Sequence, residues 1–167
     1  MKKWQTTCIL LRMMERFFLI AFSFIFFNMS GQTKADFVLG SWLATDKSVA
    51  VEVYKINDEF RAKVLWFNQK LGSGKPMHMR YDTENPNPAL RKRKILGMEI
   101  LEGLRYNTHN QSWENGKIYD ATSGKFWDSS ASLNKDGTLK VRGYWKFKWI
   151  GKSMSFKKIS HDVLTKL

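Results

Sequence analysis

Several scarcities set the first limits. The chain of 167 residues holds one cysteine, Cys8, and only 15 acidic residues against 28 basic ones. One cysteine makes no internal bridge, so a disulfide scaffold is excluded. The shortage of acid leaves a formal charge of +13, which points toward nucleic acid or an anionic surface. No long hydrophobic run is present. The longest, from Phe17 to Phe27, covers about 11 residues, short for a membrane helix and right for the core of a signal peptide. What is abundant argues for a folded domain: 43% of residues are hydrophobic and seven are tryptophan, which excludes a disordered tail. The length suits one domain rather than two.

The first 35 residues read as a leader. Lys2, Lys3, Arg12 and Arg16 precede the apolar run, and Ser30, Gly31, Gln32, Thr33, Lys34 and Ala35 follow it. Cleavage is expected near Ala35 or just before Gln32, with Met14 as an alternative start and an uncleaved anchor as the alternative state. Cys8 precedes the run, so it is not a lipoprotein cysteine. This implies a periplasmic or secreted protein. Residues 1–35 carry a net +4, and residues 36–167 carry 23 basic and 14 acidic side chains, a net +9. The exported part contains no cysteine and is indifferent to redox state.

Residues 36–167 alternate with a period of two. Val49, Val51 and Val53 share a face, as do Phe60, Ala62, Val64 and Trp66, with a turn at Asn57-Asp58. Further strands are expected at Leu96–Leu104, Gly116–Tyr119, Phe126–Leu133, Leu139–Trp145 and around Met154 and Phe156. Asp136-Gly137 marks a tight turn. Between them, Asp82–Lys94 carries two prolines two residues apart, which rules out a central strand; Asn87 is placed to cap a short helical turn opened by Pro88. No long helix, internal repeat or low-complexity tract appears. The expected fold is all-β: a single antiparallel, up-and-down barrel of about 8–9 strands with a Pro/Arg-rich loop or short helix.

Chemical signals are sparse. His78, His109 and His161 lack metal-ligand spacing, no cysteine nucleophile survives cleavage, and Gly72-Ser-Gly74 lacks the lysine of a nucleotide loop. No catalytic residue, metal or cofactor is assigned. Glu99 and Glu102 fall on opposite faces of a regular strand. Arg91-Lys-Arg-Lys94 could meet phosphates. Export sets nucleic acid aside and leaves a weak attraction to an anionic envelope surface. Inward-facing Trp66, Trp127 and Trp145 could line a cavity, with Ser129 and Gly143 leaving it room. A barrel filled by its own side chains is the alternative. Gly40-Ser-Trp42 resembles the barrel-closing corner of lipocalin-type folds, which implies that Trp42 closes one barrel end beneath Lys157 or Lys158, with an ordinary core tryptophan as the alternative.

Three segments resemble the bacterial family DUF2147. They are Asn85-Pro-Asn-Pro-Ala-Leu-Arg91-x-Arg93-x-x-Leu96-Gly97-x-Glu99-Ile-Leu101, Gly116-Lys-Ile-Tyr-Asp120 with Ser123-Gly-Lys125, and Asp136-Gly-x-Leu-x-Val-Arg142-Gly-Tyr144. The resemblance spans roughly residues 39–158. It implies a lipocalin-like barrel, export from a Gram-negative cell, and a small hydrophobic molecule or lipid as ligand, with Tyr144 joining the tryptophans. It groups Asn85, Asn87, Arg91, Arg93 and Glu99 with Tyr119, Asp120 and Arg142, here expected to form a polar network at the barrel mouth. Two other classes compete with a binding module: a filled barrel acting as a structural protein of the envelope, and a hydrolase with a carboxylate/arginine site at the mouth.

Overall fold

The structure is a computed structural model that describes residues 33–167. Residues 1–32 of the expected leader and both start methionines lie outside those residues, while Thr33, Lys34 and Ala35 fall within them. Eight strands form one closed barrel: β1 (Gly40–Ala44), β2 (Val49–Ile56), β3 (Glu59–Phe67), β4 (Glu99–Asn107), β5 (Ser112–Asp120), β6 (Lys125–Leu133), β7 (Leu139–Tyr144) and β8 (Gly151–Lys158). Each pairs antiparallel with the next, and β8 returns to β1, so no edge is left exposed. The expected barrel is therefore observed, with the strand number settled at eight.

Alternation sets which side chains enter. Val51 faces Val64 and Val53 faces Ala62 across β2 and β3, all buried. The intervening Glu52 and Lys63 pair on the outside at 2.9 Å. The turn between them uses Asn57 at φ 54°, a left-handed conformation that asparagine tolerates.

Two strand boundaries differ from the sequence reading. β4 starts at Glu99, not Leu96, because the chain turns at Gly97. β5 extends back to Ser112, well before Gly116. Trp113 explains this: it pairs with Tyr106 and Ala131 and drives its indole into the core against Phe60.

A 3-10 helix, Lys34–Val38, packs against one end of the barrel. Val38 enters the core, the Trp113 indole donates to the Ala35 carbonyl, and the Trp42 indole donates to the Val38 carbonyl at 2.8 Å. Lys158 Nζ lies 5.5 Å from the Trp42 ring and donates to the Phe37 carbonyl. Of the two candidate lysines, register selects Lys158, since Trp42 pairs with Lys158 and Leu43 with Lys157. The compact unit thus begins at Lys34, and a cut after Ala35 would sever this helix.

The interior is nearly full. Val38, Trp42, Phe60, Leu104, Trp113 and Leu139 are its bulkiest apolar occupants. They leave an apolar cavity of about 40 Å³. The space expected beside Gly143 is taken by Ile118, whose methyl would touch a Cβ there at 3.4 Å. Ser129 is fully buried, and its hydroxyl has no partner among the described residues.

Candidate functional site

The long connection from Asn68 to Met98 folds back over the barrel wall. Its inner end is pinned by a single carboxylate. Asp82 is completely buried and accepts three side-chain hydrogen bonds: from Tyr119 Oη at 2.6 Å, Asn85 Nδ2 at 2.7 Å and Arg93 Nη2 at 2.8 Å. Burial pushes the Asp82 carboxyl up, but those three bonds and the Arg93 charge outweigh it, and the net displacement is downward. Tyr119 responds in the opposite sense. Burial, then its bond to Asp82, pushes the phenol up to about 12.

The rest of the loop is built around this anchor. Tyr81 and Lys94 form a bridge that brings the two arms together, and the Asp82 amide donates to the Arg93 carbonyl. Asn85 Oδ1 accepts from the Asn87 amide, while Arg91 Nε donates to the Asn85 carbonyl. Asn87 caps the 3-10 turn Pro88–Leu90 through the Ala89 amide, the cap expected from sequence. Gly124 lets the loop approach the β5–β6 turn. It has φ +66°, and a Cβ there would lie 1.9 Å from the Glu84 carbonyl oxygen.

The residues expected in one polar network divide among several places. Asn85, Asn87, Arg91, Arg93 and Tyr119 come together, but on the outer wall rather than inside the mouth. Tyr119 neighbours the inward Ile118 and so points outward, where the loop covers it. Glu99 belongs to a second cluster: it accepts from Tyr54 and from Arg61 Nη1 at 3.0 Å. Burial, then this bond, lifts the Tyr54 phenol to about 12. Asp120 caps its own turn through the Thr122 amide and Ser123 hydroxyl. Arg142 binds the loop between β7 and β8. Two of the four charges of the basic run, Arg91 and Arg93, also bond within the loop, while the run stays open to solvent.

Between loop and wall lies a cleft of about 290 Å³ lined by Asn85, Leu90, Arg93, Glu99, Glu102, Lys117 and Phe126, among others. A neighbouring cleft of about 500 Å³ shares Glu102, Lys117 and Phe126 and continues to Trp127, Asp128, Tyr144 and Trp145. Together they make one groove near the loop end of the barrel. Three of the four expected ligand-binding residues, Trp127, Tyr144 and Trp145, line it, with Trp127 and Trp145 edge to face at 6.0 Å. Trp66 does not. A register shift between Ala50 and Val51 places it opposite Ala50, out of phase with the inward Val51–Val64 pair.

Glu99 and Glu102 both reach the groove, contrary to the regular-strand expectation. The β3–β4 register shifts between Ala62 and Lys63, which leaves Ile100 unpaired and puts both carboxylates outside. Glu102 and Lys117 are cross-strand neighbours. Among the described residues no ion pair ties either one, and no group of three His, Cys, Asp or Glu is placed to hold a metal. Sequence reasoning missed Asp82 as the anchor and Glu102, Lys117 and Phe126 as the groove floor. The available signal was the pairing of Asp82 with Arg93 across the prolines.

A family model for an uncharacterized protein conserved in bacteria, DUF2147, matches residues 40–158. No curated protein matches the chain. Among solved structures, it is similar to protein HP1028 from Helicobacter pylori, described as belonging to the lipocalin family. That likeness has 24% identity and a TM-score of 0.65, covering 77% of this chain and 87% of that one.

Proposed function

The chain belongs to the DUF2147 family with a lipocalin-like fold, and we propose that it is an exported module that binds a small amphipathic molecule in the outer groove. The observation that carries this reading is the contrast in space. About 40 Å³ remains inside the barrel, less than a lipid chain needs, whereas the groove offers clefts of about 290 and 500 Å³. Leu90, Ile100 and Phe126 supply apolar contact, and Phe126 stacks on Tyr119 at 4.8 Å. Lys117 and Arg93 supply positive charge; Arg93 Nε is buried without a partner among the described residues. A ligand with an apolar body and an anionic end fits that set. Export rests on the leader pattern, and the integrity of the Lys34–Val38 helix favours cleavage before Gln32 over cleavage at Ala35.

The test is native mass spectrometry of the purified protein, followed by thermal shift with fatty acids and lysophospholipids. A copurifying amphiphile, or a stabilisation that Phe126→Ala and Lys117→Glu abolish, supports the groove. Binding that survives both changes but is lost on Leu104→Trp would place the ligand inside the barrel. Absence of any bound species or shift would favour the filled barrel as a structural protein.

A further inference from the structure

The hairpin joining β7 to β8 carries a second surface, which adjoins the groove only through Trp145 and Lys146. Its loop reads Trp145-Lys-Phe-Lys-Trp-Ile150. Trp145, Phe147, Trp149 and Ile150 are 53%, 55%, 64% and 53% exposed. Four large apolar side chains in six consecutive residues are thus exposed together, with Phe147 and Trp149 in contact, which soluble surfaces rarely show.

Hydrogen bonds to the barrel wall tie the loop in place. Arg142, at the base, donates Nε to the Lys148 carbonyl, Nη2 to the Trp149 carbonyl at 3.0 Å and Nη1 to Ser153 Oγ at 3.1 Å. The Trp145 amide closes the loop onto the Ile150 carbonyl, and Lys148 Nζ reaches Glu114 at 2.6 Å. These bonds tie down the loop backbone; Trp145 packs edge to face on Trp127, while Phe147, Trp149 and Ile150 stay exposed.

We propose that this loop is a membrane-contact element that seats its aromatic side chains in the headgroup region of an anionic bilayer. Three observations select that partner. Tryptophan, phenylalanine and isoleucine interleaved with lysine match the boundary of a bilayer, where rings meet the acyl edge and ammonium groups meet phosphates. Lys146 and Lys152 flank the patch with exposed positive charge, complementary to anionic lipid and repulsive toward the same loop of a second copy. Phe147 and Trp149 lean on each other at 4.9 Å, so one face of each ring is already covered and the pair offers no run of open faces for successive nucleic-acid bases.

The test follows the loop tip itself, in the full chain. With Cys8→Ser, a lone cysteine at Ile150→Cys carries an environment-sensitive fluorophore. A control label sits at Asp136→Cys, in the turn at the opposite barrel end. Vesicles of phosphatidylethanolamine containing a quarter phosphatidylglycerol should brighten and blue-shift the tip label severalfold, and pure phosphatidylcholine should not. The control label should stay unchanged. Phe147→Ser with Trp149→Ser should abolish the response. Lys146→Gln with Lys152→Gln should weaken partitioning on the order of 20-fold, at roughly 5-fold per lysine. A tip label that stays in water while the chain pellets with vesicles would overturn the proposal, as would a response only to protein concentration or only to single-stranded DNA.

Discussion

Replacing Asp82 tests whether one buried carboxylate holds the groove wall in place. In Asp82→Ala, the donors on Tyr119, Asn85 and Arg93 all lose their acceptor. Stranding the partners of a buried charge costs about 3–5 kcal/mol. The Arg93 side chain is 37% exposed, so water recovers part of its bond and the lower half of that range applies, about 3–4 kcal/mol. Asp82→Asn is milder. With the amide oxygen toward Asn85 and Arg93, the Tyr119 hydroxyl can rotate and accept from the amide nitrogen. What is lost is the difference between charged and neutral hydrogen bonds, about 2 kcal/mol. Urea unfolding reads both. With a slope of about 2 kcal/mol per molar, midpoints should fall by roughly 1 M for asparagine and 1.5–2 M for alanine. The sign with pH follows from the lowered carboxyl. Its folded pKa lies below the unfolded value near 3.9, so the stabilisation is complete above about pH 5 and is lost as pH falls below 4. The gap between wild type and Asp82→Asn should therefore narrow from pH 7 to pH 3. Midpoint losses under about 0.3 M in both variants, or a gap that does not change with pH, would refute the anchoring role.

Three further outcomes test neighbouring parts. Gly124→Ala forces a Cβ onto the Glu84 carbonyl at a left-handed φ, so it should destabilise by about 2 kcal/mol or more and lower the melting temperature by roughly 5 °C or more. Lys158→Gln should cost about 1 kcal/mol through the lost contact with Trp42, while Lys157→Gln should stay near zero; comparing their melting curves decides whether the register argument holds. Tyr119 keeps its proton until about pH 12, so its contribution is present below pH 10 and fades as pH rises toward 12. In a phenol absorbance titration, Tyr119→Phe should remove one late-ionising tyrosine and leave that of Tyr54.

Much of the barrel could be read directly from residue order. The alternation of Val49 to Val53 and Phe60 to Val64, with a turn at Asn57-Asp58, specifies a hairpin with one apolar face. The closure by Trp42 and a terminal lysine was legible only through the resemblance of Gly40-Ser-Trp42 to the closing corner of lipocalin-type barrels. Choosing Lys158 over Lys157 needed the register, which a one-residue slip reverses. The same limit explains Trp66 and the two glutamates. A single shift near Ala50 or Ala62 inverts every parity assignment beyond it, and nothing in the local composition announces the shift.

The misplacement of the polar network has a different cause. Strand periodicity separates two faces but does not say what covers each one. Tyr119 lies on the outward face and is nonetheless 6% exposed, because the Asp82–Lys94 loop lies over it. A pattern of apolar and polar residues reads such a side chain as core. Contacts remote in sequence, Tyr119 with Asp82 and Gly124 with Glu84, tell that the loop returns to the wall. That return has a functional consequence. An eight-stranded barrel has an interior just wide enough for side chains to fill, and here they leave about 40 Å³. On the proposed reading, space for a ligand comes from an added layer. The loop provides it by standing off the wall on the Asp82 anchor, with Glu102, Lys117 and Phe126 as the floor it leaves uncovered. The proline-rich, arginine-rich stretch that least resembles a strand is therefore the part of the chain that makes the groove.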